Sequence, residues 1–582
     1  MDLFEYAWLT SFQITRKNHN EVKVLLRDDV SYPTLGRDKR GYVICIAKPK
    51  RQKDNKIRYL GLLFDPNNDF HKRLLWQTFK ASVFHLSMHV AASDYEAYTD
   101  WSKNKNLESA TFVVSLLEDT VVKAGLQALW TPFNEDVAVA NALSYIKMKP
   151  AHLIIDPAFR FMTALLSSYS TGCIKGTLSP KMKNDINVIV SALGEIQKVI
   201  HNELSKITAF EHDEGISRKI TDLSLMQRLA TADVMYETLG KYGTATEIPS
   251  LLYTENHGSN SAFFSNNIPT EQEITERLKA AHESKADDAQ SSLAARSLEA
   301  EVAQVFSTWE SIEKNEKRIL NNYETLGVGS RFRSFEFPRE DFAEYMYSRA
   351  FVSSPIRRVL ERLRLLKNLT GEDYRHEMGS LDMQEAIQVV ASKSDRTDVF
   401  VRDELQTRED AWAILIDASH SLKSFTGEVR SITLCLTEVA RNLFQNQNAW
   451  ATFAFNDKFY IVKEFSEGYT NRTRARIGGL EQGGMTYLTD ALTLTAQILK
   501  KRTEESKLIV VVSDFFPSGY VGAEDALKTC VKKIENSNTG VIGIGISSRA
   551  VKNYFRINCV VNNPTELMKK FVDAFFQFNA LA

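Results

Sequence analysis

Net charge of either sign is missing from this chain, in which 72 Lys and Arg stand against 73 Asp and Glu to leave a formal −1 over 582 residues. That balance argues against bulk electrostatic affinity for nucleic acid or a membrane surface, although a local patch can survive it. Cysteine is scarce too. Cys45, Cys173, Cys435, Cys530 and Cys559 are scattered, odd in number and include no Cys-x-x-Cys pair. They read as reduced thiols of a cytoplasmic protein, not as a disulfide framework. No apolar run approaches the ~18–20 residues of a membrane span, and the start Met1-Asp2-Leu3-Phe4-Glu5 has neither the basic end nor the apolar core of a signal peptide. A GxxxxGK[ST] phosphate loop is absent, so the chain is not expected to hydrolyse nucleotide itself. No internal repeat stands out.

What is present is length enough for several domains, since single cores stop growing near ~250–300 residues, and one informative stretch. From Ala413 to Ser421 an apolar run, Ala-Ile-Leu-Ile, stops in Asp417, Ser419 and Ser421. Such a run predicts a strand buried on both faces, with the three polar residues at its carboxyl end, where open α/β sheets place ligands. Helical spacing follows over 425–444, then a strand over 448–455, a helix over 488–500, a strand over 508–513 ending in Asp514, a helix from about 523 and a strand over 540–546. Strands alternating with helices imply parallel pairing in one doubly wound sheet. The turn Gly483-Gly484-Met485-Thr486 adds a hydroxyl at a helix entrance.

Asp417, Ser419 and Ser421 (Asp-x-Ser-x-Ser), then Thr486 in a Gly-rich turn, then Asp514 after an apolar strand, resemble the metal-ion-dependent adhesion site of von Willebrand factor A domains. The alternative is a strand end capped by ordinary Asx and Ser turns. The resemblance implies a hard cation, Mg²⁺ or else Mn²⁺ or Ca²⁺, held by oxygen ligands with one position left for a partner's Asp or Glu; it is a docking site, not a catalytic one. His420, between the serines, is expected to be structural or to sit at the rim.

Residues 1–175 read as an α+β unit. Strands over 42–47 and 57–64 are expected to form a hairpin across a basic tip, 48–56. A helix over 69–90 follows, with Leu75, Phe79, Val83, Leu86 and Val90 as its apolar face and Thr78, Ser82, His85 and His89 as a polar stripe. His85 and His89, one turn apart, match the spacing of a zincin helix, but Leu86 stands where H-E-x-x-H has its general base. With Glu118 as a third ligand the pair could hold Zn²⁺; otherwise it belongs to a hydrogen-bonded polar core or a degenerate scaffold.

Residues 176–405 read as mostly helical, with helices over 184–207 and 222–239, a Gly/Asn/Ser-rich break over 253–269 taken as a mobile loop, and long helices over 270–323 that either project as an arm or pack in a bundle. Ser354-Pro355 looks like a helix start, and Arg357, Arg358, Arg362, Arg364 and Lys367 make that helix's other face basic. The fold class is thus α/β, a doubly wound C-terminal sheet over 406–582 preceded by the α+β and helical regions.

Tyr374-Arg375-His376-Glu377-Met378-Gly379-Ser380-Leu381-Asp382 and the approach from Arg402 to Asp417 are similar to the linker before the A domain of the NorD and CbbO proteins, the nitric oxide reductase and Rubisco activation proteins. His85, His89, Glu118 and Asp119 echo the N-terminal half of those proteins. The resemblance implies a non-enzymatic adaptor between a MoxR-class AAA+ ATPase and a client metalloenzyme. A Ro-like RNA-binding A-domain protein, an N-terminal metallohydrolase and a magnesium- or cobalt-chelatase subunit are the alternatives. The first lacks its basic helical ring, the second its base, and the third its acidic, Pro-rich linker and ATPase-like half.

Overall fold

The computed structural model describes residues 2–205, 215–256, 268–281, 288–367, 371–376, 380–392, 396–404, 410–444, 446–517 and 519–581. Two compact units form, Met1–Glu313 and Lys314–Ala582. The sequence boundaries near 175 and 405 each fall inside a unit.

In the first unit, helix starts follow local chemistry. Asn68 accepts hydrogen bonds from the N–H groups of Phe70 and His71 to open Asp69–Ala92, and Asn106 accepts from Ser109 to open Leu107–Leu129. Ser179 followed by Pro180 opens Pro180–Leu204. That helix turns Ile186, Ile189, Leu193, Ile196 and Ile200 into one core with Phe112, Leu116, Leu117 and Met162. A core running from residue 112 to beyond 200 leaves no seam at 175. A second core joins Leu75, Phe79, Val83 and Leu86 to the strand residues Ile44, Ile46, Ile57 and Phe64, and to Val302, Val305 and Phe306 of the helix Asp288–Leu326.

The expected hairpin is rearranged. Tyr42–Ala47 pairs in parallel with Val22–Arg27 and antiparallel with Thr34–Arg37, whereas Ile57–Tyr59 pairs with Lys50–Arg51 and with Leu62–Phe64. Leu60 and Gly61, both with positive φ, turn the chain between those last two strands. The apolar run over 57–64 is therefore two short strands and a turn.

In the second unit a seven-stranded sheet has the order Ile557–Val561, Thr539–Ile546, Ser506–Ser513, Asp410–Asp417, Trp450–Phe455, Phe459–Lys463, Phe335–Glu336. Every neighbouring pair is parallel except Trp450–Phe455 with Phe459–Lys463. Helices cover both faces. On one, Ala411, Ala413 and Leu415 meet Leu492, Leu499 and Leu527; on the other, Trp412 packs edge-on against Phe444 and Phe575. Alternation of small and large residues along one central strand thus serves two helical layers.

The helix expected to start at Ser354-Pro355 instead runs from Phe342 to Lys367. Asp341 accepts from the Glu344 N–H at 3.0 Å and so supplies the cap, and burial of Phe342, Tyr345 and Val352 holds the helix through its proline. Of the linker motif, residues 377–379 lie outside the described residues, as do 405–409 and, in the Gly/Asn/Ser-rich break, 257–267. No helix among the described residues is long and apolar enough to cross a membrane, and the five cysteines are free.

Two candidate metal centres

Asp410–Asp417 is the strand from which the chain leaves first to one side, to Trp450–Phe455, and later to the other, to Ser506–Ser513. Its carboxyl end is the topological switch point, the place where open α/β sheets put their ligands. Asp417 sits there with no exposure, and Ser419, Thr486 and Asp514 are also buried. Asp417 Oδ1 accepts the Ser419 N–H at 2.8 Å, while Oδ2 accepts the hydroxyls of Ser513 at 2.5 Å and Thr486 at 3.4 Å. Ser419 Oγ and Ser421 Oγ stand 3.1 Å apart. Ser421 and His420 are exposed, so of the three hydroxyl residues of the motif only Ser421 reaches the surface, while Ser419 and Thr486 stay buried with Asp417.

The glycine turn is docked onto this loop by its backbone. Gly483 N–H donates to Ala418 O at 2.8 Å, and His420 N–H to Gly484 O at 3.1 Å. Gly484 has φ +75°, and a Cβ there would come within 2.2 Å of Asp457 Oδ1, so only glycine serves. Thr486 reaches Asp417 because the turn is held in this way. All five residues of the sequence motif converge.

Burial pushes the Asp417 carboxyl up to about 6, against the lowering effect of its Ser419 and Ser513 hydrogen bonds, and the nearby Asp514 carboxylate pushes it further up. Among the described residues neither carboxylate has a Lys, Arg or His ion-pair partner. Two acidic groups and three hydroxyls, with no counter-charge among the described residues, fit a hard, oxygen-seeking divalent cation. Sequence reading missed Ser513, whose one signal is its place just before Asp514, and Asn456, whose Nδ2 donates to Gly483 O at 2.8 Å and steadies the turn.

No family model matches the chain, and no curated protein matches it significantly. Among solved structures it is similar to a von Willebrand factor type A protein from Catenulispora acidiphila, at 17% identity over 30% of this chain and 42% of that one with a TM-score of 0.24. It is also similar to manganese-loaded Plasmodium vivax TRAP protein, at 13% identity over 28% of this chain and 72% of that one with a TM-score of 0.22. The chain thus spans less than half of the first of these proteins.

The second centre lies in the N-terminal unit. His85 and His89, one turn apart on Asp69–Ala92, bring their Nε2 atoms to 3.0 Å. His85 Nε2 lies 2.9 Å from Glu255 Oε2 and 3.3 Å from Asp119 Oδ1; His89 Nε2 lies 3.1 Å from Asp119 Oδ1 and 3.3 Å from Glu255 Oε1. The other face of His89 is held at Nδ1 by Ser93 Oγ at 2.8 Å and Tyr95 OH at 3.1 Å.

Glu118 is not part of this group, which corrects the sequence reading. It points away, where it pairs with the buried Arg228 and accepts Tyr98 OH at 2.8 Å and the Asp94 N–H at 3.0 Å. Adjacent positions on a helix lie about 100° apart, so when Asp119 faces the histidines Glu118 cannot. Glu255 was missed because it falls in the segment read as a loop, 170 residues after His85, where no local spacing ties it to the pair.

Proposed function

We propose that the C-terminal unit is a docking module of the von Willebrand factor A kind, in which Asp417, Ser419, Ser421, Thr486 and Asp514 hold Mg²⁺, or Mn²⁺ or Ca²⁺ in its place, for capture of a partner's carboxylate. The single observation that carries this reading is a fully buried Asp417, with Asp514 and three hydroxyls around it, at the switch point of the sheet and with no cationic side chain paired to it among the described residues. Bound there, the ion supplies positive charge at an outward-facing position; the chain's residues fix where it sits and leave Ser421 at the surface. In this reading Asp417 and the hydroxyls around it hold the ion, and the role of the site is binding.

The resemblance of residues 374–382 and 402–417 to the NorD and CbbO proteins extends the proposal. In it the chain is a non-enzymatic adaptor that joins a MoxR-class AAA+ ATPase to a client metalloenzyme and promotes the client's activation, remodelling or metal insertion in the cytoplasm. Titration calorimetry with Mn²⁺ tests the site. Wild type is expected to bind, Asp417→Ala to lose at least about tenfold in affinity, equivalent to ~1.4 kcal/mol, and Thr486→Ala to fall between them. Equal Mn²⁺ binding by all three proteins would refute the site.

A further inference from the structure

The His85, His89, Asp119 and Glu255 group has the form of a transition-metal site and not of a polar core. Ligands at ~2.0–2.1 Å from a tetrahedral ion stand about 3.3 Å from one another, and the contacts between these imidazoles and carboxylates run from 2.9 to 3.3 Å. One ligand atom from each of the four side chains fits within a 4.8 Å span. A hydrogen-bonded cluster serves them badly. Each Nε2 carries at most one proton, the two Nε2 atoms face each other, and Glu255 Oε1, on a residue only 6% exposed, has the His89 Nε2 contact at 3.3 Å but no hydrogen bond of good geometry. An ion satisfies all four at once, and Ser93 and Tyr95 on the far nitrogen of His89 fix its ring as outer-shell partners do.

The group is also reachable. A cavity of about 590 Å³ is lined by His85, Asp119, Lys123, Asn141, Tyr253 and Arg277. Lys123 lies one turn beyond Asp119 on the same helix, with Nζ 3.1 Å from Tyr169 O, and Arg277 stacks on Tyr145 at 4.1 Å with Nη1 3.3 Å from Cys173 Sγ. Neither has a carboxylate partner among the described residues. With Asp119 and Glu255 neutralising a divalent ion, these two cations outweigh Glu135, the one further acidic residue on the wall. The cavity beside the ion is therefore positive.

We propose that the N-terminal unit binds a zinc-class divalent ion between His85, His89, Asp119 and Glu255, and that a small oxyanion drawn into the cavity by Lys123 and Arg277 completes the ion's coordination. Mixed imidazole and carboxylate ligands suit zinc first and ferrous iron next. This inference is independent of the docking reading and survives its failure.

Metal analysis of purified full-length protein after dialysis is expected to find roughly one zinc per chain, lost in His89→Ala and kept in Asp417→Ala. Wild type without zinc, or His89→Ala with as much as wild type, overturns the site; if His89→Ala does not fold, Asp119→Asn carries the same comparison. Cobalt in place of zinc reports the open position, because its visible spectrum follows its ligands. Inorganic phosphate is expected to shift that spectrum in wild type, and Arg277→Met to bind cobalt equally but to need roughly tenfold more phosphate for the same shift. A spectrum indifferent to phosphate, or an Arg277→Met response equal to wild type, overturns the oxyanion half of the proposal.

Discussion

Two neighbouring carboxylates on the helix Leu107–Leu129 have opposite tasks. Glu118, fully buried, is neutralised by Arg228, itself 1% exposed, while Asp119 faces His85 and His89. Removing one member of a buried pair leaves the other's charge without compensation, which typically costs about 3–5 kcal/mol. Arg228→Met is therefore expected to lower the denaturation midpoint of the protein sharply, and Glu118→Gln with Arg228→Met to recover much of the loss; urea denaturation of the three proteins checks it. Asp417 presents the reverse case. Its carboxylate and that of Asp514 repel each other without an ion, so Asp417→Asn is expected to leave metal-free stability unchanged or higher. Wild type should gain about 2.7 kcal/mol when Mg²⁺ stands at about a hundred times its dissociation constant, and the variant little. Thermal scans with Mg²⁺ and with chelator separate these outcomes, and an equal Mg²⁺ gain in both proteins would contradict the assignment.

At the scale of elements, what the sequence makes legible depends on whether a pattern is local. The C-terminal strands and helices were legible because each carries its own pattern: Trp450–Phe455 is buried at every position, and Thr426–Leu443 buries Val429, Ile432, Leu436 and Val439 at helical spacing. The ion motif was legible for the same reason, each piece lying at the end of such an element. Contacts made by packing alone left no such trace. The helix Phe342–Lys367 meets the segment Asn471–Gly478 where a Cβ on Gly478 would lie 2.0 Å from Asp341 O and one on Gly479 would lie 1.8 Å from Arg339 O. Nothing in the local sequence announces that approach. Gly478→Ala is expected to push the two backbones apart at a cost of roughly 1–3 kcal/mol, seen as a lower melting temperature, whereas Gly427→Ala, with open space around it, should be near neutral. Glu255 was illegible for a similar reason: its partners are set by tertiary folding and not by spacing.

At the scale of the molecule, the two units carry candidate metal centres of different chemistry, oxygen ligands alone in Lys314–Ala582 and imidazole with carboxylate in Met1–Glu313. Hard and borderline ions should partition between them. Mild exchange into Mg²⁺-free buffer is expected to empty the Asp417 site and leave zinc in place, so that partner docking is lost while zinc content is not; zinc analysis beside a binding assay checks this. In the proposed docking role the Asp417 ion, and not the fold around it, captures a partner's carboxylate. Loss of such a charge pair typically costs ~2–5 kcal/mol or more. The most direct measurement is co-elution of the full-length protein with a candidate MoxR-class ATPase, for wild type, Asp417→Ala and Thr486→Ala, in Mg²⁺ or chelator. In Mg²⁺ a full complex is expected for wild type, a weaker one for Thr486→Ala and none for Asp417→Ala, with no complex in chelator and full recovery of the wild-type complex when Mg²⁺ is returned. A complex that forms in chelator and survives both substitutions would contradict it.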